Sequence, residues 1–421
     1  MAIATTSVED ACRAAKRAAR TLATLDTATK NAALRRIAAE LRAATAAILD
    51  ANRQDVEAAR EAGLAPALID RLTLDERRIE AMAAGAEDIA ALPDPVGEVV
   101  EGFRRPNGLR IRKLRVPLGV VAVIYEARPN VTIDAAALCL KSGNAVVLRG
   151  SSAAARSNAL LAVIASQAAC SAGVPEDAIS HLQGGGHHEL ALLATQTRFV
   201  DLIIPRGGEA LKAALTEHAT VPVIYAASGN CHVYVDAAAD LDHALAIALN
   251  AKVQRPGVCN AAETLLVHRD VAAAFLPGAL AALRDAGVQL RGDQHTRALA
   301  GDVEVLEATA EDWDTEYLAL TLAVGVVDSL DDAIEHIAAH GTGHSEAIVT
   351  RDPRAAARFE LEVDAACVYV NASTRFTDGA EFGMGAEIGN STQKLHARGP
   401  IGLRELCATK YLVEGDGHIR H

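Results

Sequence analysis

This 421-residue sequence lacks long apolar runs and a recognisable leader segment. No apolar stretch reaches the roughly 18 residues that a membrane span needs, and no basic segment followed by an apolar one stands near the amino terminus. These absences argue against a membrane protein and against a secreted one. We therefore expect a cytoplasmic protein.

Paired cysteines and a surplus of positive charge are also absent. The seven cysteines are scattered and include no C-x-x-C pair, so their spacing fits neither a zinc site nor a disulfide framework, and no metal is expected. The net charge is −13, with acidic and basic residues interspersed. This charge argues against a general nucleic-acid binder, which needs a basic surface. Aromatic residues make up only 3% of the chain, so the core must depend on Ala, Val, Leu and Ile.

The chain does contain a regular alternation of helical and strand patterns. Residues 7–89 are Ala-rich with helical spacing, which predicts an amphipathic helical region. Asn107-Gly108 is typical of a tight hairpin turn and predicts a β-hairpin at about residues 98–116. Farther along, short apolar runs alternate with helical patterns, which indicates parallel sheets with crossover helices. The predicted strands are 120–125, 145–148, 179–182, 200–204 and 223–225, then 232–236, 264–268, 319–327, 347–349 and 367–371, and residues 411–413 could add an edge strand.

Two short motifs have both a functional and a structural interpretation. The triple glycine in Gln183-Gly-Gly-Gly186 lies between a predicted strand and a predicted helix, so its amides could approach a phosphate. Glu189 replaces the third glycine of G-x-G-x-x-G, however, and a simple tight turn is the commoner explanation. The adjacent Cys231 and His232 could form a reactive pair, but His232 begins an alternating strand, which favours a structural role.

Cys259 lies in a different kind of segment, Gln254-Arg-Pro-Gly-Val-Cys259-Asn260. A predicted helix ends near Lys252, and Pro256-Gly257 forces a loop before the next strand. A cysteine on such a loop lies at the edge of a sheet, where Arg255 and backbone amides could favour the nucleophilic thiolate. From the residues alone, a structural role for this cysteine remains the commoner outcome.

Five blocks of the sequence resemble the γ-glutamyl phosphate reductases, a family within the aldehyde dehydrogenase superfamily. The longest begins Val327-Asp-Ser-Leu-Asp-Asp-Ala-Ile-Glu and continues to Ile348. A second block reads Ile124-Tyr-Glu-Ala-Arg-Pro-Asn-Val-Thr132. The five blocks, which appear in order along the chain, are residues 124–132, 204–208, 231–236, 327–348 and 396–400.

The resemblance implies an α/β fold of the aldehyde dehydrogenase type, with two parallel-sheet domains and a β-hairpin that pairs subunits. It implies an NADP-binding domain at residues 1–227, with the hairpin inserted, and a catalytic domain at residues 228–371. Residues 372–421 are expected to return to the cofactor domain and to the oligomerisation hairpin. A homodimer or homotetramer follows as the expected assembly.

The resemblance also assigns catalytic roles. Cys259 is the expected nucleophile, and Asn130 stands where the superfamily has the asparagine whose amide stabilises the oxyanion. Hydrolytic relatives carry a glutamate just before a Gly-Gly pair to activate water. The corresponding stretch here, residues 226–230, contains no carboxylate. An enzyme that protects its thioester from water is expected to lack that base.

The expected cofactor is NADPH. Arg149 stands where a lysine usually holds the adenosine ribose, and Ser151 and Ser152 add hydroxyl groups without a carboxylate. Arginine pairs well with phosphate oxygens, so this stretch suits a 2′-phosphate. Glu316, in Thr315-Glu-Tyr-Leu318, resembles the glutamate that holds the nicotinamide ribose.

The reaction implied is the reduction of L-glutamyl 5-phosphate to L-glutamate 5-semialdehyde in proline biosynthesis, with a separate γ-glutamyl kinase as supplier. Arg255, Arg375 and Arg398 are candidates for binding the substrate's carboxylate. Two alternatives remain at this point. One is an oxidising or CoA-acylating dehydrogenase of the same fold, and the other is a catalytically dead binding or scaffold protein.

Overall fold

The computed structural model describes residues 7–183, 186–225 and 228–420, and the chain forms two compact units. Unit 1 is drawn from Met1–Tyr225, Gly383–Gly389 and Ile401–His421, and unit 2 from Ala226–Phe382 and Asn390–Pro400. The last fifty residues are thus divided between the units. No helix in the described ranges has both the length and the apolar character to cross a bilayer.

The described residues before the first strand form five amphipathic helices, as the Ala-rich pattern predicts. The side chains of Ser7, Asp26 and Asp75 each accept a hydrogen bond from the N–H three residues later and so define three helix starts. Small alanines occupy much of the buried faces. The helices are α1 (Val8–Leu22), α2 (Thr27–Ala43), α3 (Thr45–Glu61), α4 (Pro66–Leu72) and α5 (Glu76–Ala91).

The predicted hairpin is confirmed as the antiparallel pair β1 (Val99–Arg104) and β2 (Arg110–Pro117). Its turn is wider than the two-residue type expected from Asn107-Gly108. The Arg105 carbonyl accepts the Gly108 N–H at 2.9 Å, and only Gly108 of that dipeptide has positive φ, at +100°. Pro106 occupies the second turn position, where its fixed φ favours a β-turn followed by a left-handed glycine.

A parallel four-stranded sheet in the order β5-β4-β3-β6 forms the core of unit 1. All six residues of β3 are buried, as in strands that helices cover on both faces. The predicted strand at 223–225 is wrong: Val223 makes only an isolated bridge to Ile203, because the next ladder bond would need an N–H from Pro205, which has none. The elements are β3 (Val120–Tyr125), α6 (Asn130–Lys141), β4 (Ala145–Gly150), α7 (Ala155–Ser171), β5 (Ile179–His181), α8 (His187–Ala194), β6 (Leu202–Arg206) and α9 (Glu209–His218).

Unit 2 is built on a second parallel sheet, of seven strands in the order β10-β9-β11-β8-β7-β12-β13. The sequence patterns missed β9 and β10, which are short and carry few apolar residues. The elements are β7 (Cys231–Val235), α10 (Leu241–Val253), β8 (Ala262–His268), α11 (Arg269–Asp285), β9 (Gln289–Gly292), α12 (Gln294–Ala298), β10 (Leu306–Glu307), α13 (Ala310–Asp314), β11 (Thr321–Val327), α14 (Leu330–His340), β12 (Ser345–Val349), α15 (Pro353–Glu362), β13 (Cys367–Val370), β14 (Asn390–Ser391) and β15 (Gly399–Pro400).

The carboxyl-terminal strand β16 (Cys407–Glu414) extends the hairpin to a three-stranded antiparallel sheet. It pairs with β2 over eight residues, which confirms the edge strand expected around residues 411–413. With two parallel α/β sheets and this hairpin sheet in place, the predicted fold class is confirmed. The domain functions assigned from the resemblance remain predictions.

Candidate active site

Cys259 lies on the loop that joins α10 to β8 in unit 2. The Val258 carbonyl accepts the Ala261 N–H at 3.1 Å, so Cys259 and Asn260 are the two central residues of a β-turn. Cys259 is half-buried, whereas Asn260 is buried. The loop therefore presents the thiol at the end of a buried strand, where functional side chains are often found.

Gly229 packs directly against this turn. A β-carbon at Gly229 would overlap the carbonyl of Cys259, so only glycine permits the close approach. The N–H of Gly229 donates to Oε1 of Glu316 at 2.7 Å. The structure thus brings two of the residues expected from the sequence, Cys259 and Glu316, into contact with the same glycine.

Asn260 anchors the loop from the other side. Its Nδ2 donates to the carbonyls of Arg375 and Thr377 at 3.3 and 3.0 Å, and its own carbonyl accepts from Thr374 Oγ1 at 2.7 Å. The guanidinium of Arg375 donates to the Asn260 side-chain oxygen. These bonds fix the backbone of the residue that follows the nucleophile, as a preorganised site requires.

Cys231 and His232 do not form a reactive pair. The Cys231 thiol is buried, donates to the Cys259 carbonyl at 3.2 Å and lies 3.8 Å from Nδ1 of His344. His232 is buried as well, with its Nδ1 2.9 Å from Glu346 Oε2. Burial raises the pKa of the Cys231 thiol well above its ordinary value. The structural interpretation of these two residues agrees with the contacts.

A buried ion pair, which the sequence did not indicate, joins the two elements that flank the Cys259 loop. Lys252, at the end of α10, and Glu263, in β8, are both fully buried and in direct contact. Glu263 also accepts the Leu318 N–H at 3.2 Å. Burial raises the pKa of Glu263 to about 7, against the opposing charge of Lys252, and burial likewise lowers the pKa of Lys252. Because the two ends of the Cys259 loop meet in this pair, its loss should be costly.

We expect Lys252→Met to lower the free energy of unfolding of unit 2 by about 3–5 kcal/mol, because it leaves the Glu263 carboxylate buried without its cation. Denaturant unfolding measures this. The matched control is the double variant Lys252→Met/Glu263→Leu, which removes both charges and should recover most of the loss. A single-variant loss below about 1 kcal/mol would show that the pair contributes little.

Three of the four residues expected to bind the cofactor lie together in unit 1, whereas the fourth, Glu316, belongs to unit 2. Arg149 stands near the carboxyl end of β4, and Ser151 and Ser152 follow at the start of a short 3₁₀ turn. Arg149 Nη2 donates to the Gly186 carbonyl at 3.1 Å, whereas Ser151 Oγ accepts the Ala127 N–H at 3.2 Å. Burial lowers the pKa of Arg149, opposed by the carboxylate of Glu189. The sequence did not indicate that this carboxylate lies near Arg149.

The surroundings of Arg149 fit a nucleotide. The carboxyl ends of parallel strands are where nucleotides bind in open α/β sheets, and helix starts there bind phosphates. Gly186 and Gly208 cap α8 and α9, and a β-carbon at either position would meet no atom within 4 Å. Both helix starts therefore face open space. Residues 184 and 185 of the triple glycine lie outside the described residues.

Asn130 is exposed at the first position of α6, in unit 1. Its Nδ2 donates to Asp134 Oδ2 at 2.9 Å, and burial raises the pKa of Asp134 to about 6. A side-chain amide carries two N–H groups, and the bond to Asp134 uses one of them. The oxyanion role of Asn130 stays a prediction, and so do the other assigned roles. Among the described residues, no three His, Cys, Asp or Glu side chains are grouped as a metal site would require.

Two parallel-sheet units, one with a cysteine on an anchored loop and the other with a nucleotide-compatible sheet edge, agree with the aldehyde dehydrogenase class. The model of the aldehyde dehydrogenase family matches residues 1–298. An acetylating aldehyde dehydrogenase from Geobacillus thermoglucosidasius superposes with a TM-score of 0.68 at 20% identity, over 98% of this chain and 97% of that one. At this identity the likeness concerns the fold alone.

Relatives with higher sequence identity show which family within this class the chain belongs to. The γ-glutamyl phosphate reductase of Moorella thermoacetica is 58% identical over 406 residues, which cover 96% of this chain and 97% of that protein. The crystal structure of the γ-glutamyl phosphate reductase of Thermotoga maritima superposes with a TM-score of 0.96 at 46% identity, over 99% and 100% of the two chains. The chain belongs to the γ-glutamyl phosphate reductase family, as its five sequence blocks predicted.

Proposed function

We propose that this protein reduces L-glutamyl 5-phosphate to L-glutamate 5-semialdehyde and phosphate, with NADPH, in proline biosynthesis. The observation that carries the proposal is the whole-length similarity to γ-glutamyl phosphate reductases, combined with the anchored loop that presents Cys259. A separate γ-glutamyl kinase supplies the acyl phosphate. The family similarity favours this activity over that of a catalytically dead binding protein.

Cys259 is the residue of this chain that forms and breaks a covalent bond with the substrate. Its thiolate attacks the acyl carbon, and the carbon–oxygen bond to phosphate breaks, so that inorganic phosphate leaves and a thioacyl enzyme forms. Bound NADPH supplies the hydride that reduces this thioester. The resulting thiohemiacetal forms as its alkoxide and collapses: the carbon–oxygen double bond of the aldehyde forms, the carbon–sulfur bond breaks and the Cys259 thiolate is regenerated. The anchors at Gly229 and Asn260 hold the sulfur in one position throughout.

Further residues position the reactants in this proposal. The amide of Asn130 donates to the developing oxyanion, and Glu316 binds the nicotinamide ribose. Arg149, Ser151 and Ser152 bind the adenosine ribose and its 2′-phosphate. All of these are polar groups of the kind that fix orientation in a cofactor enzyme.

One assay separates the candidate activities. NADP⁺ reduction is followed with glutamate-5-semialdehyde alone, with phosphate and with coenzyme A. The proposal expects turnover with phosphate only. Turnover with coenzyme A instead would indicate an acylating dehydrogenase, turnover without either would indicate a hydrolytic one, and no turnover in any arm would indicate a protein without this activity.

We expect Arg149→Ala to weaken the binding of NADPH selectively. The value of kcat/KM should fall about tenfold or more for NADPH and change much less for NADH. The reason is that an arginine contact to a phosphate is charge-assisted and NADH has no 2′-phosphate. Steady-state kinetics with both cofactors measure it, and Arg149→Lys serves as the charge-preserving control. Equal losses for the two cofactors would contradict the assignment, and so would a wild-type enzyme that uses NADH equally well.

The three-stranded sheet of β1, β2 and β16 pairs subunits in the same proposal. Its outer strands β1 and β16 expose apolar side chains, and exposed edge strands of this kind invite pairing with another chain. The exposed apolar residues are Val99, Val100, Phe103, Tyr411 and Val413. A homodimer or homotetramer by light scattering supports this role, and a monomer contradicts it.

A further inference from the structure

A cavity of about 230 Å³ lies next to the Cys259 loop, wholly within unit 2. The end of α10 and the segment after β13 form its walls. Its lining combines one cation, two carboxylates, two amides and an exposed aromatic ring. The lining residues are Asn250, Gln254, Arg375, Phe376, Asp378 and Glu381.

Arg375 is the cation of this cavity, and neutral groups hold it. Its Nε donates to Gln254 Oε1 at 2.8 Å, and its Nη1 donates to the Asn260 side-chain oxygen. Among the described residues, no carboxylate forms an ion pair with Arg375. The guanidinium is half-buried, and burial is the main cause that lowers its pKa; the charge of Arg255 adds to this effect and that of Asp378 opposes it. A partly desolvated arginine with neutral acceptors is well suited to receive a carboxylate from a ligand.

Arg375 also lies close to the nucleophile. Its guanidinium donates to the side chain of Asn260, the residue that follows Cys259. In a glutamyl substrate, four carbon–carbon bonds separate the α-carboxylate from the reacting acyl carbon, about 5 Å when extended. The assignment therefore requires the guanidinium and the thiol to lie within reach of the two ends of a five-carbon chain.

The two acidic side chains complement the arginine. Asp378 and Glu381 line the same cavity, and Asp378 Oδ1 is oriented by the Ala380 N–H at 2.9 Å. Phe376, 48% exposed, offers an apolar surface to a short carbon chain. A cation, two anions and an apolar wall together match an α-amino acid, which carries a carboxylate, an ammonium group and methylenes.

The structure also distinguishes Arg375 from the other two candidate arginines. Arg398 is engaged by Asp364, with Nη1 2.7 Å from Oδ1 and Nη2 3.0 Å from the backbone oxygen. Arg255 is exposed on the loop and is not among the residues that line the cavity. Of the three, only Arg375 combines partial burial, neutral partners and a place in the cavity.

We propose that this cavity binds the amino-acid end of the substrate, with Arg375 gripping the α-carboxylate while Asp378 and Glu381 attract the α-ammonium group. The assignment rests on the proposed function and deepens it, because it explains how the enzyme selects a glutamyl chain over a simple aldehyde. Arg375 is a specificity residue in this account, and the bond-making steps belong to Cys259.

The test compares two aldehydes in the oxidative direction with NADP⁺ and phosphate. Glutamate-5-semialdehyde carries both α-groups, whereas butanal has the same reacting end without them. We expect Arg375→Ala to reduce kcat/KM for the semialdehyde about 10- to 100-fold more than for butanal, because a charged hydrogen-bonding partner is lost for one substrate only. Arg375→Lys should retain part of the discrimination.

Arg375 also holds Asn260, so the variant can slow both substrates. If kcat/KM fell equally for the two aldehydes, Arg375 would be a structural support and the proposal would be overturned. The same holds if neither value changed. Arg398→Ala is the matched comparison: a larger selective loss there would move the carboxylate site to Arg398.

A binding measurement separates this proposal from the proposed function. L-norvaline has the five-carbon amino-acid skeleton without the aldehyde, and calorimetry follows its binding without turnover. Wild type should bind it, and Arg375→Ala should bind it at least about tenfold more weakly. If wild type binds norvaline but does not oxidise the semialdehyde, the proposed reaction fails and the cavity assignment stands. Absence of norvaline binding to wild type would overturn the cavity assignment.

Discussion

Cys259→Ala should reduce turnover in both directions by about 10³-fold or more, which in practice means to the background rate. Without the thiol no covalent acyl enzyme can form, and removal of a nucleophile costs at least this much in enzymes that use covalent catalysis. The fold should survive, because Cys259 is half-buried on a turn that backbone contacts and Asn260 anchor. Steady-state turnover of glutamate-5-semialdehyde with NADP⁺ and phosphate measures the effect.

Two controls give this result its meaning. NADPH binding, followed by fluorescence, should be unchanged in Cys259→Ala, and Cys170→Ala should keep wild-type turnover, since Cys170 lies in α7 of unit 1 and is also partly exposed. Substantial activity in Cys259→Ala would rule out the thioacyl route. Cys231→Ala is a less suitable control, because the Cys231 thiol contacts the Cys259 carbonyl. We still expect it to keep most of the activity.

Omitting phosphate should lower the oxidative rate by about 10²–10⁴-fold, the contribution that a general base makes to such a step. The reason is that the thioacyl enzyme waits for phosphate when no base activates water. Arsenate should replace phosphate. The semialdehyde cyclises spontaneously, so its free concentration must be matched in both arms.

The structure identifies one residue, Glu316, that would contradict this prediction if it acted as a general base. Residues 226–230 contain no carboxylate, yet Glu316 accepts the Gly229 N–H at 2.7 Å, so the fold brings a carboxylate to that segment from 87 positions away. We assign Glu316 to the ribose and expect Glu316→Gln to lower the rates with and without phosphate by the same factor, so that their ratio is unchanged. Comparable rates with and without phosphate, lost in Glu316→Gln, would instead make Glu316 a general base.

Strong local patterns made much of the fold predictable. The six apolar residues of β3 give the strand bounds directly, and repeated strand–helix alternation gives the parallel sheets. Patterns failed where apolar content was low, as in β9, or where a proline in the neighbouring strand removed an N–H, as at Pro205. Asn107-Gly108 located the hairpin but gave the wrong turn, because Pro106 sets the preceding φ.

The candidate site likewise contains residues that local sequence patterns predict and contacts that only the fold reveals. Cys259 follows from a loop between helix and strand together with the family blocks, all of which are local in sequence. The Gly229–Glu316 contact, the Lys252–Glu263 pair and the Arg375–Asn260 bond join distant positions, so only the fold could show them. Arg375 appeared in the sequence only as one of three equivalent arginines, and burial and partners separate it from the others.

The most direct test of the central claim, that Cys259 carries an acyl group that phosphate must release, is a burst experiment. Enzyme at known concentration is mixed with glutamate-5-semialdehyde and NADP⁺ without phosphate, and NADPH absorbance is followed before and after phosphate is added. The account predicts a burst of at most about one NADPH per active site, a near-zero rate afterwards, and sustained turnover once phosphate is present, with the adduct on Cys259 by mass spectrometry. Sustained turnover before phosphate is added, or an unmodified Cys259 after the burst, would contradict it.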